Sequence, residues 1–312
     1  MIAVTFSGAG GPEVMSVAER PDPVPRSHEV VVRATHAAMN PADVAQRAGN
    51  YPAPPGSPAD IPGLEVAGAV VGCGEAATDW RPGDRVFGLV GGGGLADTVA
   101  VHERHLARVP DALSDRDAAA VPEAFITAHD AVFSRAGLTI GETLLVNGAS
   151  GGVGTAAVQL GVAAGARVLA NARSHRDRLA ELGAEPTELE AARGVDVVLE
   201  LVGAANLAAS LEALALHGRV IVVGTGAGTT TELSLRAVMG KRACIMGTLL
   251  RARSLEEKAA AVRAFDRAVV THLASGRVRP VIDRVFPAAE AAAAFDYMAT
   301  PGKFGKVLLE FG

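Results

Sequence analysis

The spacing of apolar and polar residues changes near residue 122 and divides the chain into two kinds of structure. Before that point, short apolar runs are separated by turns rich in glycine and proline, which is typical of an antiparallel barrel of many short strands. We predict strands over residues 2–6, 29–37, 66–71, 84–89 and 95–101. Together they would form a partly open β-barrel.

From about residue 123, strand-like apolar runs alternate with helix-like ones. This alternation predicts an α/β fold with a doubly wound parallel sheet and helices on both of its faces. The predicted strands are 144–147, 167–171, 195–200, 219–223 and 243–246, and the predicted helices are 153–164, 176–182 and 206–216. Residues 183–195 leave room for little more than a weak strand or a helical turn.

The C-terminal part begins with a long predicted helix over residues 254–275. Its apolar face is a core face and contains Val262, Phe265, Val269 and Leu273. A strand at 281–286, a short helix at 288–298 and a strand at 306–311 follow, and we expect the last strand to rejoin the N-terminal barrel. The predicted domains are therefore residues 1–122 with 265–312, and residues 123–264.

A glycine-rich turn joins the first strand of the α/β part to its first helix, in the run Asn147-Gly148-Ala149-Ser150-Gly151-Gly152-Val153-Gly154. Backbone N–H groups and the positive end of the helix meet in such a turn and favour an anion such as a pyrophosphate. We expect Gly151 to close the turn, Gly152 to let phosphates approach the backbone, and Gly154 to bring the helix against the sheet. Ala149 replaces the first glycine of the strict fingerprint, so the turn alone is also compatible with a purely structural role. Its place in an alternating strand–helix pattern favours dinucleotide binding.

The end of the second strand of this part indicates which dinucleotide is bound. An NAD site has Asp or Glu about 20 residues after the glycines, where the carboxylate binds the ribose 2′-hydroxyl. Here Asn171 stands at that position, and Arg173, Ser174 and Arg176 follow. Guanidinium groups bind phosphate oxygens in pairs, so the sequence predicts NADPH. The alternative, a solvated basic helix start, is disfavoured because cations at a helix N-terminus are destabilising without an anion.

Composition narrows the classes of function. Apolar residues make up 49% of the 312 residues and charged residues 20%, so the chain can bury a large core. The net charge of −5 argues against nucleic acid or an anionic membrane as a partner. Cys73 and Cys244, the two cysteines, are too few for a disulfide framework or a four-cysteine metal site. The sequence shows no signal-peptide pattern and no apolar run of about 18 residues, and we therefore expect a cytoplasmic protein.

Several runs resemble the zinc-independent quinone oxidoreductases of the medium-chain dehydrogenase/reductase superfamily. The resemblance rests on the glycine-rich turn, on Gly63-Leu64-Glu65-Val66-Ala67-Gly68, on Arg81-Pro82-Gly83-Asp84-Arg85-Val86 and on Phe304-Gly305-Lys306-Val307-Leu308-Leu309. Two further runs are similar to the branch that contains the tumour-suppressor-inducible quinone oxidoreductase. They are Asn40-Pro41-Ala42-Asp43-Val44-Ala45-Gln46-Arg47 with Tyr51, and Val121-Pro122-Glu123-Ala124-Phe125-Ile126-Thr127-Ala128.

The resemblance implies a GroES-like domain, a Rossmann domain, and NADPH lying in the cleft between them. It also implies a homo-oligomer, either a dimer or a tetramer, and a small quinone or enone as substrate. From the turn, the basic cluster and the resemblance together, the expected cofactor-binding residues are Asn40, Thr127, Gly148, Ala149, Ser150, Gly151, Gly152, Val153, Arg173, Ser174, Arg176, Leu201, Val202, Gly203, Gly224, Thr225, Leu249, Leu250, Phe304, Gly305 and Lys306.

The catalytic residues that the resemblance implies are Asn40 and Tyr51, which match residues near the nicotinamide and the substrate. Both also have structural interpretations: Asn40 and Asp43 would cap a short helix, and Tyr51 would cover an edge. The zinc-dependent relatives place a cysteine near Met39 and a histidine where Leu64 stands. Because both ligands are missing, we expect no zinc site and interpret Glu65 as a structural carboxylate.

Without a metal to polarise an alcohol, the expected reaction is hydride transfer to an acceptor that is already electrophilic. Asn40 and Tyr51 would orient the acceptor oxygen, and the proton would come from water or from Tyr51. Two rival functions stay open at this point. An enoyl reductase acting on a thioester, in lipid or polyketide metabolism, would have the same architecture. An NADPH-binding sensor or structural protein with little turnover would have a spoiled nicotinamide pocket, which the sequence does not show.

Overall fold

The computed structural model describes all residues from 1 to 312 and divides into two compact units. The first unit comprises Met1–Ile126, Leu250–Gly276 and Pro280–Gly312, and the second comprises Thr127–Leu249 and Arg277–Arg279. The first is rich in antiparallel strands and the second alternates strands with helices, which confirms the predicted fold class.

Each predicted apolar run contains a strand, but the strand predicted over 29–37 is two strands, Glu29–Arg33 and His36–Met39, and the strands Met15–Glu19 and Leu106–Arg108 were not predicted. The strands are β1 (Ile2–Phe6), β2 (Met15–Glu19), β3 (Glu29–Arg33), β4 (His36–Met39), β5 (Glu65–Cys73), β6 (Arg85–Leu89), β7 (Thr98–His102), β8 (Leu106–Arg108), β9 (Thr143–Asn147), β10 (Arg167–Asn171), β11 (Glu185–Pro186), β12 (Val195–Glu200), β13 (Leu214–Val222), β14 (Cys244–Gly247), β15 (Ile282–Pro287) and β16 (Lys306–Glu310).

The structure contains nine α-helices. They are α1 (Pro41–Arg47), α2 (Asp115–Ala119), α3 (Pro122–His129), α4 (Gly152–Ala163), α5 (Arg176–Glu181), α6 (Ala204–Ala213), α7 (Leu235–Lys241), α8 (Leu255–Ala274) and α9 (Ala291–Ala299). A π-helical segment, Asp130–Arg135, follows α3. No helix has the length and apolar character needed to cross a membrane.

The first unit is built on a five-stranded antiparallel sheet with the order β7-β3-β5-β6-β8. Val30 and Val32 of β3 are fully buried, because this strand lies inside the sheet between β5 and β7. Smaller sheets have the orders β15-β16-β4 and β1-β2, and a bridge from Ala3 to Ala96 ties β1 to the segment before β7. This is the partly open barrel that the short apolar runs predict.

The C-terminal residues return to the first unit. β16 pairs antiparallel with β4, with Val307 opposite Met39. α8 belongs to the same unit, and the ring of Phe265 in this helix lies 5.7 Å from the ring of Phe87 in β6. The predicted domain boundary between residues 264 and 265 falls inside α8. Since the buried face of α8 is continuous along its length, the helix packs on the first unit as a whole.

The second unit contains a six-stranded parallel sheet with the order β11-β10-β9-β12-β13-β14. From β9 the chain builds outward to β10 and β11, then crosses back to β12 and builds outward on the other side. The carboxyl ends of β9 and β12 therefore lie side by side, with Val146 opposite Leu199. Open parallel sheets bind ligands at this point of reversal.

Two details of the second unit bear on the sequence prediction. The helix predicted over 206–216 is α6, which ends at Ala213, because Leu214 enters the sheet core and opens β13 opposite Val195. The short segment 183–195 holds both features considered for it, the two-residue strand β11 and a 3-10 turn at Leu189–Ala191.

Candidate functional site

The glycine-rich turn after β9 ends in an uncapped helix N-terminus. The N–H groups of Gly148 and Ala149 both donate to the carbonyl oxygen of Asn171, at 3.0 and 3.2 Å, which holds the turn against the end of β10. α4 follows with Gly151 as its N-cap residue, and no side chain caps it. The first N–H groups of a helix have no acceptor within the helix. This end therefore offers donors and positive potential to an anion.

Two glycines of the turn are required by geometry. Gly148 has a φ of 79°, which residues with a side chain rarely adopt. A Cβ on Gly154 would lie 2.4 Å from the oxygen of Gly148 and 2.7 Å from the carbonyl carbon of Ala149, so only glycine lets α4 approach the turn. Gly151 has an ordinary φ of −76°, and a Cβ there would have its nearest neighbour at 3.6 Å. The N–H of Gly151 donates to the carbonyl oxygen of Gly148 at 3.1 Å and so closes the turn, but it is Gly148 whose backbone conformation requires glycine.

A buried carboxylate joins the ends of three neighbouring strands. Glu200, the last residue of β12, is fully buried, and its Oε1 accepts from the backbone N–H groups of Val202 at 2.7 Å and Gly203 at 2.9 Å. Its Oε2 accepts from Nδ2 of Asn147 at 2.6 Å. Oδ1 of Asn147 accepts in turn from Nδ2 of Asn171 at 2.9 Å. The network fixes the turn after β12 beside the glycine-rich turn.

The turns after β12 and β13 are packed closely on each other. A Cβ on Gly224 would lie 2.2 Å from the oxygen of Leu201. Gly203 has a φ of 115°, and its Cβ would lie 2.7 Å from the Cα of Thr225. Five of the predicted cofactor-binding residues, Leu201, Val202, Gly203, Gly224 and Thr225, therefore belong to one compact pair of turns at the carboxyl end of the sheet.

The basic cluster after β10 contains one arginine that is engaged and one that is not. Arg176 is bonded through Nη1 to Glu188, and its Nη2 donates to the carbonyl oxygen of Pro186 at 2.9 Å. Arg173 is exposed and makes no hydrogen bond or ion pair. The amide of Asn171 donates to Asn147, a bond that an aspartate in its place could not donate. The acidic partner of Arg176 was not foreseen from the sequence.

The remaining predicted cofactor-binding residues divide between the units. Thr127 and the half-exposed Leu249 belong to the second unit, whereas the buried Leu250 and Phe304 belong to the first. Gly305 has a φ of 100°, and a Cβ on it would lie 2.2 Å from the oxygen of Val281.

The first unit contains a buried ion pair that holds the side chain of Asn40. Lys306 is 5% exposed, and its Nζ donates to the carbonyl oxygen of Met39 at 3.0 Å, to Oδ1 of Asn40 at 2.6 Å and to Oε1 of Glu65 at 2.8 Å. All three N–H groups of the ammonium are thereby used. Nδ2 of Asn40 donates to the same oxygen of Glu65 at 2.9 Å. The Lys306–Glu65 pair fixes the orientation of the Asn40 amide and leaves one N–H of that amide for another acceptor.

Glu65 has the structural role interpreted from the sequence. Besides binding Lys306 and Asn40, it accepts from the backbone N–H of Glu123 at the start of α3, at 2.8 Å. No group of three or more His, Cys, Asp or Glu side chains in the structure is placed to hold a metal ion.

Asp43 is a second buried carboxylate, in the first turn of α1. Its Oδ2 accepts from the backbone N–H of Asn40 at 2.7 Å, and its Oδ1 accepts from the N–H of Gly63 at 2.9 Å. The predicted capping role is confirmed, since Asn40 is the N-cap residue of α1 and forms a capping box with Asp43. The side chain of Asn40 is also held by Glu65 and Lys306. Burial raises the pKa of Asp43 to about 6, even though both N–H bonds favour the charged form.

Replacing Asp43 by asparagine is expected to change how stability depends on pH. The folded pKa lies above the unfolded value of about 3.9, so the folded state binds more protons between the two values. The stabilisation that comes from protonating Asp43 in the folded state is fully present below about pH 4 and is lost as the pH rises through 6. The variant Asp43→Asn should therefore gain up to roughly 3 kcal/mol relative to the natural protein between pH 4 and 7. Urea unfolding at pH 4 and pH 7 measures the free energy of unfolding of both proteins. The control is Asp266→Asn, at an exposed position of α8. The prediction is contradicted if the free energy of unfolding changes equally with pH in Asp43→Asn and in the natural protein.

Tyr51 lies against a buried guanidinium. Cζ of Arg251 lies 5.0 Å from the centroid of the Tyr51 ring. Nη1 of Arg251 donates to the carbonyl oxygen of Tyr51 at 2.9 Å. Burial is the main reason that the pKa of Tyr51 is raised, and the nearby carboxylate of Glu123 raises it further, while Arg251 lowers it. The hydroxyl is therefore protonated at neutral pH and is available as a hydrogen-bond donor.

Three residues of these networks were not singled out from the sequence. Asn147 and Glu200 carry a local signal, since each is a polar residue that ends an apolar strand. Arg251 carries none, because its partners lie 160 to 205 residues away along the chain.

Two family models match the chain. The alcohol dehydrogenase GroES-like domain matches residues 26–111, and the zinc-binding dehydrogenase model matches residues 165–309. Among curated proteins, the quinone oxidoreductase of Rattus norvegicus is 32% identical, with 99% of this chain and 97% of the relative covered.

Solved structures of similar proteins share the fold over nearly the full chain. An alcohol dehydrogenase superfamily protein from Novosphingobium aromaticivorans matches with a TM-score of 0.87 at 33% identity, covering 99% of both chains. The CurK enoyl reductase matches with a TM-score of 0.86 at 25% identity, covering 100% of this chain and 99% of that one.

Proposed function

The chain belongs to the zinc-independent quinone oxidoreductase family of the medium-chain dehydrogenase/reductase superfamily, and we propose that it uses NADPH to reduce quinones or other activated C=C or C=O acceptors. When bound, NADPH supplies a hydride. A quinone that takes up one hydride and one proton becomes the hydroquinone, so electrons and protons balance without a further reductant.

The observation that carries the proposal is the uncapped start of α4 at the point where the sheet order reverses. There the N–H groups at the start of α4 and the positive helix end suit a pyrophosphate. Gly154 leaves no side chain between α4 and the turn, and Glu200 fixes the neighbouring turn at Val202 and Gly203. The residues present therefore fit a dinucleotide.

The preference for a phosphorylated ribose rests on Arg173 and Ser174. Arg173 has no protein partner, and its guanidinium can bind a phosphate through two N–H groups. Arg176 shares its donors with Glu188 and Pro186, so its contribution to phosphate binding is the smaller one.

Replacing Arg173 by alanine should erode the preference for NADPH. Hydrogen bonds to charged groups contribute about 1.5–3 kcal/mol, so the Kd for NADPH should rise roughly 10- to 100-fold while that for NADH stays unchanged. Arg176→Ala should have a smaller effect. Arg193→Ala, at an exposed arginine that donates to the carbonyl oxygens of Glu190 and Ala192, serves as the control. Calorimetric titration with both nucleotides makes the measurement. Unchanged NADPH selectivity in Arg173→Ala would refute the assignment.

On the acceptor side, we propose that Asn40 and Tyr51 orient the oxygen of the substrate. The amide of Asn40 has one N–H left after its bonds with Glu65 and Lys306, and the hydroxyl of Tyr51 is protonated. Both groups can therefore donate to an acceptor oxygen as negative charge develops on it. All donors of Lys306 are used, so we assign Lys306 the role of holding Asn40 rather than that of a direct cofactor ligand.

An enoyl reductase is the second candidate, favoured by the similarity to CurK enoyl reductase over the full chain. Steady-state NADPH oxidation with an ortho-quinone, an alkenal and a crotonyl thioester separates the two. We expect the highest kcat/KM with the quinone. Turnover of the thioester alone would favour the enoyl reductase, and tight NADPH binding without turnover of any acceptor would favour a binding protein.

We also propose that the protein is a homo-oligomer built through β14. This strand ends the parallel sheet, so one of its edges is unpaired, and the nearby helix α7 exposes Leu235 and Met239. Sedimentation of the natural protein and of Met239→Glu tests this; a natural protein that is monomeric at micromolar concentration would contradict it.

A further inference from the structure

Arg251 is a buried cation without an anionic partner at hydrogen-bond distance. It is 5% exposed, and all of its bonded acceptors are neutral. Nε donates to the carbonyl oxygen of Gly91 at 2.8 Å, Nη1 donates to that of Tyr51 at 2.9 Å, and Nη2 donates to Oε1 of Gln46. The face of the guanidinium lies 5.0 Å from the centroid of the Tyr51 ring.

Burying a charged guanidinium lowers the stability of the fold unless hydrogen bonds satisfy its N–H groups. The acceptors of Arg251 must therefore be held in place. The guanidinium is a planar fork whose donors have set directions, so it fixes its acceptors relative to each other. Stacking on an aromatic ring adds a further restraint on the ring plane.

The three acceptors lie on three separate segments that Arg251 joins. Gln46 is in α1, the helix that begins directly after Asn40, and its Nε2 also donates to the carbonyl oxygen of Ala59 at 3.1 Å. Tyr51 is in the proline-rich loop that follows α1, and Gly91 is in the loop after β6. Arg251 therefore connects the helix that begins directly after Asn40 to the loop that bears Tyr51.

We propose that Arg251 is a positioning residue that sets the distance between the amide of Asn40 and the hydroxyl of Tyr51, and thereby the way the acceptor oxygen is held. The inference rests on the proposed function, in which these two groups bind that oxygen. Arg251 also places a fixed positive charge beside the Tyr51 ring, which opposes the effect of burial and of Glu123 and keeps the hydroxyl a better donor.

The kinetic test uses Arg251→Lys and Arg251→Met with NADPH and an ortho-quinone. Misplacing an orienting group lowers turnover, so kcat/KM for the quinone should fall roughly 10- to 100-fold in Arg251→Met, and less in Arg251→Lys, which keeps the charge. The KM for NADPH should stay unchanged. Adding Tyr51→Phe to Arg251→Met should cost little more, because both changes remove the same interaction. Additive losses would overturn the proposal.

The matched control is Arg108→Lys. Arg108 also stacks on an aromatic ring, that of Trp80, and bonds to a neighbour, Asp84, but shares no partner with Arg251. This variant should keep the kinetic constants of the natural protein, and thermal melting of all variants shows which of them are folded.

A second measurement does not depend on turnover. The chain has two tyrosines, Tyr51 and Tyr297, so NMR of protein labelled with carbon-13 tyrosine gives one signal to follow and one internal reference. The ring signal of Tyr51 should shift and broaden in Arg251→Met and stay in place in Arg108→Lys, with Tyr297 unaffected in both. A Tyr51 signal that is unchanged in Arg251→Met would overturn the proposal. If the natural protein reduces no acceptor, the proposed function fails while this measurement still decides the role of Arg251.

Discussion

Replacing Lys306 by methionine is expected to destabilise the first unit by about 3–5 kcal/mol, which is the usual cost of breaking a buried ion pair from one side. The reason is that Glu65 is 1% exposed and would lose the ammonium that pairs with it. The side chain of Asn40 would lose the donor that fixes its oxygen, so acceptor turnover should fall as well. Urea unfolding gives the loss of stability directly.

Two comparisons separate this explanation from a general effect of losing a charge. Arg167→Met removes one partner of the exposed pair with Glu185, and should cost at most about 1 kcal/mol. The double variant Glu65→Gln/Lys306→Met no longer buries an unpaired charge and should be more stable than Lys306→Met alone. A double variant that is less stable than Lys306→Met would contradict the account of the pair.

Replacing Gly154 by valine is expected to abolish nucleotide binding at micromolar concentrations. A Cβ at this position would overlap backbone atoms of Gly148 and Ala149, at 2.4 and 2.7 Å, so α4 or the turn must move. Overpacking of this kind costs about 1–3 kcal/mol in stability. It also displaces the N–H groups that would hold the phosphates, and the Kd for NADPH should rise roughly 100-fold or more.

The control for Gly154→Val is Gly240→Ala. Gly240 lies within α7, where an added Cβ meets nothing within 4 Å, and alanine favours a helix interior by about 1 kcal/mol over glycine. This variant should bind NADPH as the natural protein does. Calorimetric titration at one protein concentration compares the three proteins; full NADPH affinity in a folded Gly154→Val protein would show that the phosphates do not lie at this turn.

The fold could be predicted from the sequence because its signals are local. The apolar run ending at Asn147, the glycines after it and the next helix lie within one short stretch, so strand, turn and helix were placed nearly to the residue. The capped start of α8 at Ser254 has the same property. The predicted end of α6 is wrong, because whether Leu214 continues the helix or enters the sheet depends on Val195, a residue of another strand.

The candidate site was predicted less completely, because its polar groups find their partners across the chain. The predicted contact of Lys306 with the cofactor stays a prediction, and its bonds to Met39, Asn40 and Glu65, more than 240 residues away, could not be predicted from the sequence. Arg176 is predicted to bind the phosphate, and its ion pair with Glu188 could not be predicted from the sequence. No periodicity or spacing in the sequence indicates such pairings, since they arise from the packing of distant segments.

The central claim, that the glycine-rich turn and the basic residues after β10 bind a phosphorylated nicotinamide nucleotide, is tested most directly by titrating the purified protein with NADPH and with NADH. We expect NADPH to bind with a Kd on the order of micromolar and at least about tenfold more tightly than NADH. Absence of binding to either nucleotide, or equal affinity for both, would contradict the claim.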